Sequence, residues 1–290
     1  MKLMTTLITA GLWSAHGFGQ TDSLAKPAAT DTTGTKSSLT VGAVYANNAS
    51  YYGQRAQENI PYVAAGATFR LRSGFYLSGL AFRILNDTSA AVSAGNLGAG
   101  IAFKLSKKLS ADLSYSHTFY PQYSPFLQAS SPDNASAALV YETWLNAKLN
   151  VDYAFGKSSD LFVTAGIGKV ISLGSITAKD VISITPEFSV VGGTQHFYQT
   201  YITEKRLRDS LLGVLLTPIV GAPPSQGGTT TTTTTTTFSV LSYNFKFPIA
   251  YSRANYMLEL DYQLAVLSNK AQSGPGQANS FFNAGFYYQF

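Results

Sequence analysis

Cysteine is absent from this chain of 290 residues, which excludes disulfides, a lipid-anchored N-terminal cysteine, thiolate metal sites and thiol nucleophiles. Charge is scarce as well, at 12% of residues beside 45% hydrophobic ones, and that balance excludes a disordered chain. Also missing is a long apolar run: no segment past the first residues approaches the about 20 consecutive apolar positions that a membrane-spanning helix needs. The net charge of +5 and pI near 9.2 do not amount to a phosphate-binding stripe. Basic residues are scattered, and the compact cluster Lys205-Arg206-Leu207-Arg208 is flanked by Glu204 and Asp209, so nucleic acid is not an expected partner. Histidine is the last shortage. Apart from His16 near the N-terminus only His117 and His196 are present, and neither stands at a spacing that supplies a nucleophile or an orienting carboxylate. No catalytic constellation, cofactor site or metal-ligand set is expected.

What the chain has in quantity is aromatic residues, 18 Tyr and 18 Phe, together with alternation. Residues 1–19 combine a basic start at Lys2, a short apolar run from Leu3 to Trp13 and small residues at Gly17 and Gly19. This is the pattern of a secretory signal peptide cleaved before Gln20. Residues 20–38, rich in Thr, Ala, Asp, Lys and Gly, read as a flexible mature N-terminus. From about residue 39 the period is two. Tyr256, Leu258, Leu260, Tyr262, Leu264 and Val266 share one face while Glu259, Asp261 and Gln263 share the other, and the same rhythm runs through Leu145–Phe155 and Leu241–Tyr251.

These alternating stretches are longer than the about 5 to 6 residues usual in a soluble sandwich and match the about 9 to 11 of a membrane strand. Strands are expected near residues 39–52, 59–71, 74–86, 93–105, 108–120, 138–155, 160–173, 180–190, 194–203, 238–251, 254–267 and 279–290. Short turns fall at Arg72-Ser73-Gly74, Ser106-Lys107, Gly156-Lys157-Ser158-Ser159 and Ser252-Arg253, and longer connections near 53–58, 121–137, 204–237 and 268–278. An even strand count requires a break at Gly192-Gly193 rather than one strand from Val181 to Tyr201. The expected fold is all-β: a closed antiparallel transmembrane β-barrel over residues 39–290 with about twelve strands, ten or fourteen being the alternatives. In the connection 204–237, Leu207, Leu211 and Leu215 are spaced as on a helix, before Pro218, Pro223-Pro224 and the threonine run Thr229–Thr237. This segment reads as a solvated exterior loop with a short helix, or as a helix that folds into the mouth or meets a partner.

The chain resembles the outer-membrane β-barrel proteins of Gram-negative bacteria. The resemblance rests on the leader, the long two-period strands, and a last strand ending with Phe286, Tyr288 and Phe290 at alternating positions. In that class such an ending is read by the barrel-assembly machinery, which the resemblance therefore implies as a partner during biogenesis, with outer-membrane lipid as the surroundings. Asp22-Ser23-Leu24 and Asp31-Thr32-Thr33 look like the glycosylation triplets of Bacteroidota secreted proteins. Counting back from Phe290 places Gln289, Tyr287, Gly285 and Asn283 inside the barrel. Alternation elsewhere places Arg70, Arg83, Lys104, Asp112, Lys148, Asp152, Glu187, Lys246, Glu259 and Asp261 there too, since charge on the lipid face is costly. A turn centred on Ser252-Arg253 sets Lys246 across from Glu259. The expected function is a passive channel or transport-related barrel for small hydrophilic solutes. Adhesion or partner binding through exterior loops, chiefly 121–137 and 204–237, is the alternative, and an outer-membrane hydrolase a further one; neither histidine lies in the His-x-Ser-Asn-Gly pattern of outer-membrane phospholipases.

Overall fold

The structure is a computed structural model that describes residues 37–87, 91–121, 124–205, 237–272 and 277–290. Residues 1–19, expected to form a leader, the segment 20–36 with its two triplets, and nearly all of 204–237 lie outside the described residues. Seven uninterrupted strands come first: β1 (Ser38–Ala46), β2 (Tyr62–Arg70), β3 (Phe75–Ile84), β4 (Ala94–Lys104), β5 (Leu109–Phe119), β6 (Asp133–Tyr141) and β7 (Asn146–Phe155). Three interrupted strands follow. β8 (Asp160–Gly168) continues as β9 (Ile171–Gly174), β10 (Asp180–Ile184) as β11 (Glu187–Gly193), and β12 (Ser239–Lys246) as β13 (Ile249–Arg253). β14 (Tyr256–Leu267) and β15 (Ala278–Gln289) complete the set. Each strand is antiparallel to its neighbours, and β15 pairs with β1 while β12 pairs with both β11 and β14. The ring therefore closes as a twelve-stranded antiparallel barrel. Two of the interruptions fall at Pro186 and Pro248, which lack the N–H a ladder needs, and the third, at Lys169-Val170, lies beside Pro186; Pro248 still accepts from the Thr185 amide at 2.9 Å and Pro186 from the Lys169 amide at 3.2 Å.

The count of twelve agrees with the sequence reading, but two of the expected strands do not. The stretch 138–155 is not one strand: it turns at residues 142–145, where Glu142-Thr143-Trp144-Leu145 contains no Gly, Pro or Asn to announce it. The Thr143 hydroxyl makes the turn by donating to the Leu145 carbonyl at 2.7 Å. The stretch 194–203 is not a strand at all, since residues 196–205 form a helix, α1. Gly192-Gly193 does not break the chain either but ends β11, still in register with β8 and paired with β12 after a one-residue shift at Val191-Gly192. One strand gained and one lost leave the total even.

The missed hairpin also reassigns the ends. Turns at 71–74, 105–108, 142–145, 175–179 and 254–255 lie at one end, the turn end, together with Ser38 and Phe290. The loop end carries the connections 47–61, 85–93, 120–132, 156–159, 194–238 and 268–277. The short segment 156–159 thus belongs with the long loops rather than with the other short turns. At the seam Phe290 donates its backbone N–H to the Leu39 carbonyl at 2.8 Å.

Outward positions make a continuous apolar belt. On β14 and β15 Leu258, Leu260, Tyr262, Phe282 and Phe286 are exposed while Glu259, Asp261, Gln263, Phe281 and Tyr287 are buried. Aromatic rings gather toward both rims, with Phe69, Phe75, Tyr141, Trp144 and Phe290 at the turn end and Tyr45, Tyr115, Phe119, Tyr153 and Phe238 at the loop end. A belt this wide exceeds the apolar patches tolerated by water-soluble monomers, and its girdles are those of a barrel set in lipid.

Candidate functional site

The interior is built in tiers, and the uppermost is a surprise of the loop 47–61. This connection folds back into the barrel from the loop end. Its neck is held by Asn48, whose Oδ1 accepts the amides of Ala49 and Ile60, both at 2.9 Å. Its tip is a two-residue hairpin in which Tyr51 and Gln54 exchange backbone hydrogen bonds of 2.7 and 3.0 Å. The central residues Tyr52 and Gly53 have φ of 52° and 82°, the left-handed pair that a tight type I′ turn requires. Gly53 is there for space too: a Cβ would lie 2.7 Å from Ser242 Oγ and 2.8 Å from Asn244 Oδ1.

In the ring of twelve, β7 stands opposite β1, so a loop from the β1–β2 side must cross the bore to reach it. Tyr52 does so. Its ring stacks on Phe162 of β8 at 3.8 Å and its hydroxyl hydrogen-bonds to Asp152 of β7. Its carbonyl accepts from Ser242 Oγ at 2.8 Å, and the Gly53 carbonyl accepts from Asn279 Nδ2 at 3.0 Å. Four walls are thereby tied to one hairpin. Burial pushes the phenols of Tyr51 and Tyr52 well above the ordinary tyrosine value, reinforced for Tyr51 first by the charge of Asp160 and for Tyr52 first by that of Asp152. Both stay protonated, so Tyr52 remains a donor to Asp152.

Two other segments complete this plug. Phe126 and Leu127, in the connection 120–132, are buried against the inward Tyr62 and Phe82. Helix α1 buries Phe197 and Tyr201, four residues apart on one face, with the Phe197 ring 4.8 Å from that of Tyr51. Tertiary contact decides the conformation of this β-prone stretch. The carboxylate of Asp160, fully buried at the start of β8, accepts the amides of His196 and Phe197 at 2.8 and 2.7 Å and the hydroxyl of Thr194 at 2.6 Å. The two amides are orphan donors of the first helical turn, capped here by a negative charge from β8. At the foot of the plug Gly193 makes room for Phe162, whose Cδ1 would sit 2.6 Å from a Cβ there.

Below the aromatic tier lies a polar one. Asn96 donates to Thr118 Oγ1 at 2.9 Å, Gln263 donates to Asn244 Oδ1 at 2.8 Å, and Asp152 accepts from both Ser136 and Asn150. Nearer the turn end comes a charged tier on two walls. On one, the Arg70 guanidinium sits 4.9 Å over the Tyr76 ring, whose hydroxyl donates to Asp112 at 2.8 Å. On the other, Lys148 pairs with Glu187 at 2.9 Å, Glu187 is in register with Lys246, and Lys246 interacts electrostatically with Asp261 and Glu259.

Of the residues assigned to the lumen from alternation, Arg70, Asp112, Lys148, Asp152, Glu187, Lys246, Glu259 and Asp261 occupy inward positions, with Lys104 at the turn-end mouth. Arg83 does not: it pairs with Val63 on the outward face near the loop end, where its long side chain can reach the headgroup level. Lys246 faces Gln263, not Glu259, because the turn centres on Ala254-Asn255. Ala254 takes φ 48° there, a conformation alanine rarely signals from sequence. Phe286, Tyr288 and Phe290 share the outward face of β15 and its end, and Gln289, Tyr287, Gly285 and Asn283 the inward one.

The histidines do acquire carboxylate partners that spacing could not show. His117 lies on the outward face of β5 with Nδ1 2.8 Å from Asp133 Oδ1, and Tyr115 donates to the same oxygen at 2.5 Å. His196 Nδ1 is 3.0 Å from Asp160 Oδ1. The two pairs are on different surfaces and do not form one site. Plug residues Tyr51, Tyr52, Phe126, Phe162 and Phe197 are the ones that alternation does not single out; it places Tyr51 and Tyr52 at the end of a strand over 39–52, whereas β1 stops at Ala46, and the available signal was Gly53 directly after the two tyrosines, where a tight turn can form.

No protein-family model matches the chain, and no curated protein matches it in sequence. Among solved structures it is similar to the KdgM porin, with a TM-score of 0.46 and 9% identity over 87% of this chain and 99% of that one. It is also similar to a bacterial polysaccharide outer membrane secretin, with a TM-score of 0.47 and 6% identity over 88% and 98%. LpxR from Salmonella typhimurium gives a TM-score of 0.44 and 9% identity over 87% and 99%.

Proposed function

We propose that this protein is an outer-membrane channel for small hydrophilic solutes whose bore is closed at the loop end by its own inward-folded segments. The turn end, which carries Ser38 and Phe290, then faces the periplasm and the loop end the exterior. The observation that carries the reading is the sequence of tiers along the bore. A structural barrel needs only to be filled, whereas here an apolar plug, held by a hairpin of strained geometry, sits above polar and charged walls. Tyr52 in a left-handed conformation costs roughly 1–3 kcal/mol, which favours a plug that can leave. Planar-bilayer recording tests this: low or intermittent conductance is expected of the intact chain, and sustained conductance after residues 49–59 are replaced by a short Gly-Ser link. A barrel sealed in both forms would defeat it.

The plug also supports a second reading, a sealed structural or adhesive barrel that works through its exterior surface, with 204–237 as the segment for a partner protein. Binding to cells or partner proteins that is lost on deleting 206–236, with no conductance in either form, would favour it. A hydrolase is the third reading, and His196 beside Asp160 is the arrangement that would serve it. Hydrolysis of phospholipid or peptide that disappears in His196→Ala, but persists in His117→Ala, is the outcome that would support it.

A further inference from the structure

The end of the barrel away from the plug has a charge pattern that the channel reading does not use. Among the described residues the turn end bears the exposed cations Arg72, Lys107, Lys108, Lys169, Lys179 and Arg253, with Lys104 at its inner edge, against the side-chain carboxylates of Glu142 and Asp180. Asp180 is engaged by its own turn, accepting the amide of Ile176 at 2.7 Å and the hydroxyl of Thr177 at 2.5 Å. The loop end is balanced among its described residues, where Arg55, Arg83, Lys157, Lys205 and Lys270 meet as many carboxylates. Two of those pairs are closed, Lys157 with Glu204 at 2.7 Å and Lys205 with Glu58 at 3.5 Å. The charge of the barrel is thus concentrated at one end, although the sequence spreads it from Arg72 to Arg253, over three turns, the interruption between β8 and β9 and the end of β13. Closure of the ring gathers these residues around that rim.

That rim is the edge of the apolar belt. Lys169 Nζ lies 5.3 Å over the ring of Trp144, which is 77% exposed. Arg253 hydrogen-bonds to Tyr251 and Tyr256. Leu71, Phe75 and Leu105, which flank Arg72 and Lys107, are exposed as well. Cations interleaved with aromatic and aliphatic side chains at a belt edge sit where lipid phosphates lie. A soluble acidic partner would meet these cations without needing the apolar side chains beside them.

We infer that the turn-end rim is a binding surface for anionic phospholipid headgroups, which it selects over zwitterionic ones. The inference rests on the membrane-barrel reading. Both lipid classes offer a phosphate, but the zwitterionic headgroup offsets it with an ammonium that the rim repels, whereas the anionic headgroup keeps a net negative charge. Each basic residue near such a surface is worth about a fivefold change in binding.

Trp144 is the natural reporter. The full chain carrying Trp13→Phe is reconstituted into vesicles of phosphatidylcholine alone and of phosphatidylcholine with phosphatidylglycerol, one lipid at a time being brominated near the headgroup. Brominated phosphatidylglycerol is expected to quench Trp144 at least about fivefold more effectively per mole than brominated phosphatidylcholine. The combined variant Arg72→Gln, Lys107→Gln, Lys108→Gln, Lys169→Gln is expected to lose that preference, and Glu142→Gln to increase it. Equal quenching by the two lipids, or a preference unchanged in the combined variant, overturns the inference. So does a variant effect confined to the reversal potential, which would make the rim a funnel for anionic solutes instead. Absence of quenching by either lipid would mean that the chain did not insert, and would overturn the membrane reading itself together with this inference.

Discussion

Gly53→Ala is the smallest change that should open the barrel. The added methyl would approach Ser242 Oγ to 2.7 Å, Asn244 Oδ1 to 2.8 Å and Ser242 Cβ to 2.9 Å, at a residue whose φ is +82°. An L-residue in the left-handed region loses about 1–2 kcal/mol relative to glycine, and overpacking of this kind typically adds about 1–3 kcal/mol. Moving the tip away also breaks the hydrogen bonds from Ser242 to the Tyr52 carbonyl and from Asn279 to the Gly53 carbonyl, each worth about 0.5–1.5 kcal/mol. A shift of roughly 3 kcal/mol against the seated hairpin follows, which multiplies the open fraction by on the order of a hundred. The barrel wall is unaffected, because Gly53 belongs to no strand. Single-channel recording should show a large rise in open probability with little change in the conductance of the open level. The double variant Gly53→Ala, Ser242→Gly removes the nearest clashing atoms and should recover part of the closed state. The reasoning is refuted if Gly53→Ala behaves as wild type while replacement of residues 49–59 conducts, since the hairpin tip would then not be the point at which the plug is held. It is equally refuted if neither variant conducts.

Other positions make separate tests. Asp160→Asn keeps the size of a fully buried side chain but removes the charge that caps α1. It should weaken the seating of residues 196–205 by about 1–3 kcal/mol, and limited proteolysis should cut there while the strands stay protected. Lys148→Met leaves Glu187 without the partner now 2.9 Å away; an open variant carrying it should shift its reversal potential toward cation preference, and Glu187→Gln should shift it the other way. Phe290→Ala should lower the yield of assembled barrel in cells through loss of the terminal aromatic. It should hardly alter unfolding in denaturant, because the ring is 68% exposed while the hydrogen bond to Leu39 uses only the backbone.

Much of the wall was legible in the sequence because one physical constraint acts at every residue. Lipid outside and polar groups inside force a period of two, so Glu259, Asp261 and Gln263 reveal their side of β14 without any partner strand being known. Turn chemistry was legible only where special residues announce it, as at Ser73-Gly74. Glu142-Thr143-Trp144-Leu145 turns by a hydroxyl on a carbonyl, and Ala254 by a strained φ, neither of which composition signals. Arg83 departs from the rule that polar means inward because near a rim an outward arginine costs little, and depth is not readable from a strand alone.

The sequence by itself determined that the chain makes long amphipathic strands and which side chains of each strand share a face, because alternation is a local property of the chain; the even number came from the closed-barrel rule, and the structure reaches it with a different set of strands. Only the tertiary structure decided what occupies the bore. Whether Tyr51-Tyr52-Gly53-Gln54 points into water or across the lumen depends on Phe162, Asp152, Ser242 and Asn279, up to about 230 residues away and brought together by closure of the ring. The same holds for 196–205, whose β-prone residues become helical once the buried carboxylate of Asp160 supplies the cap.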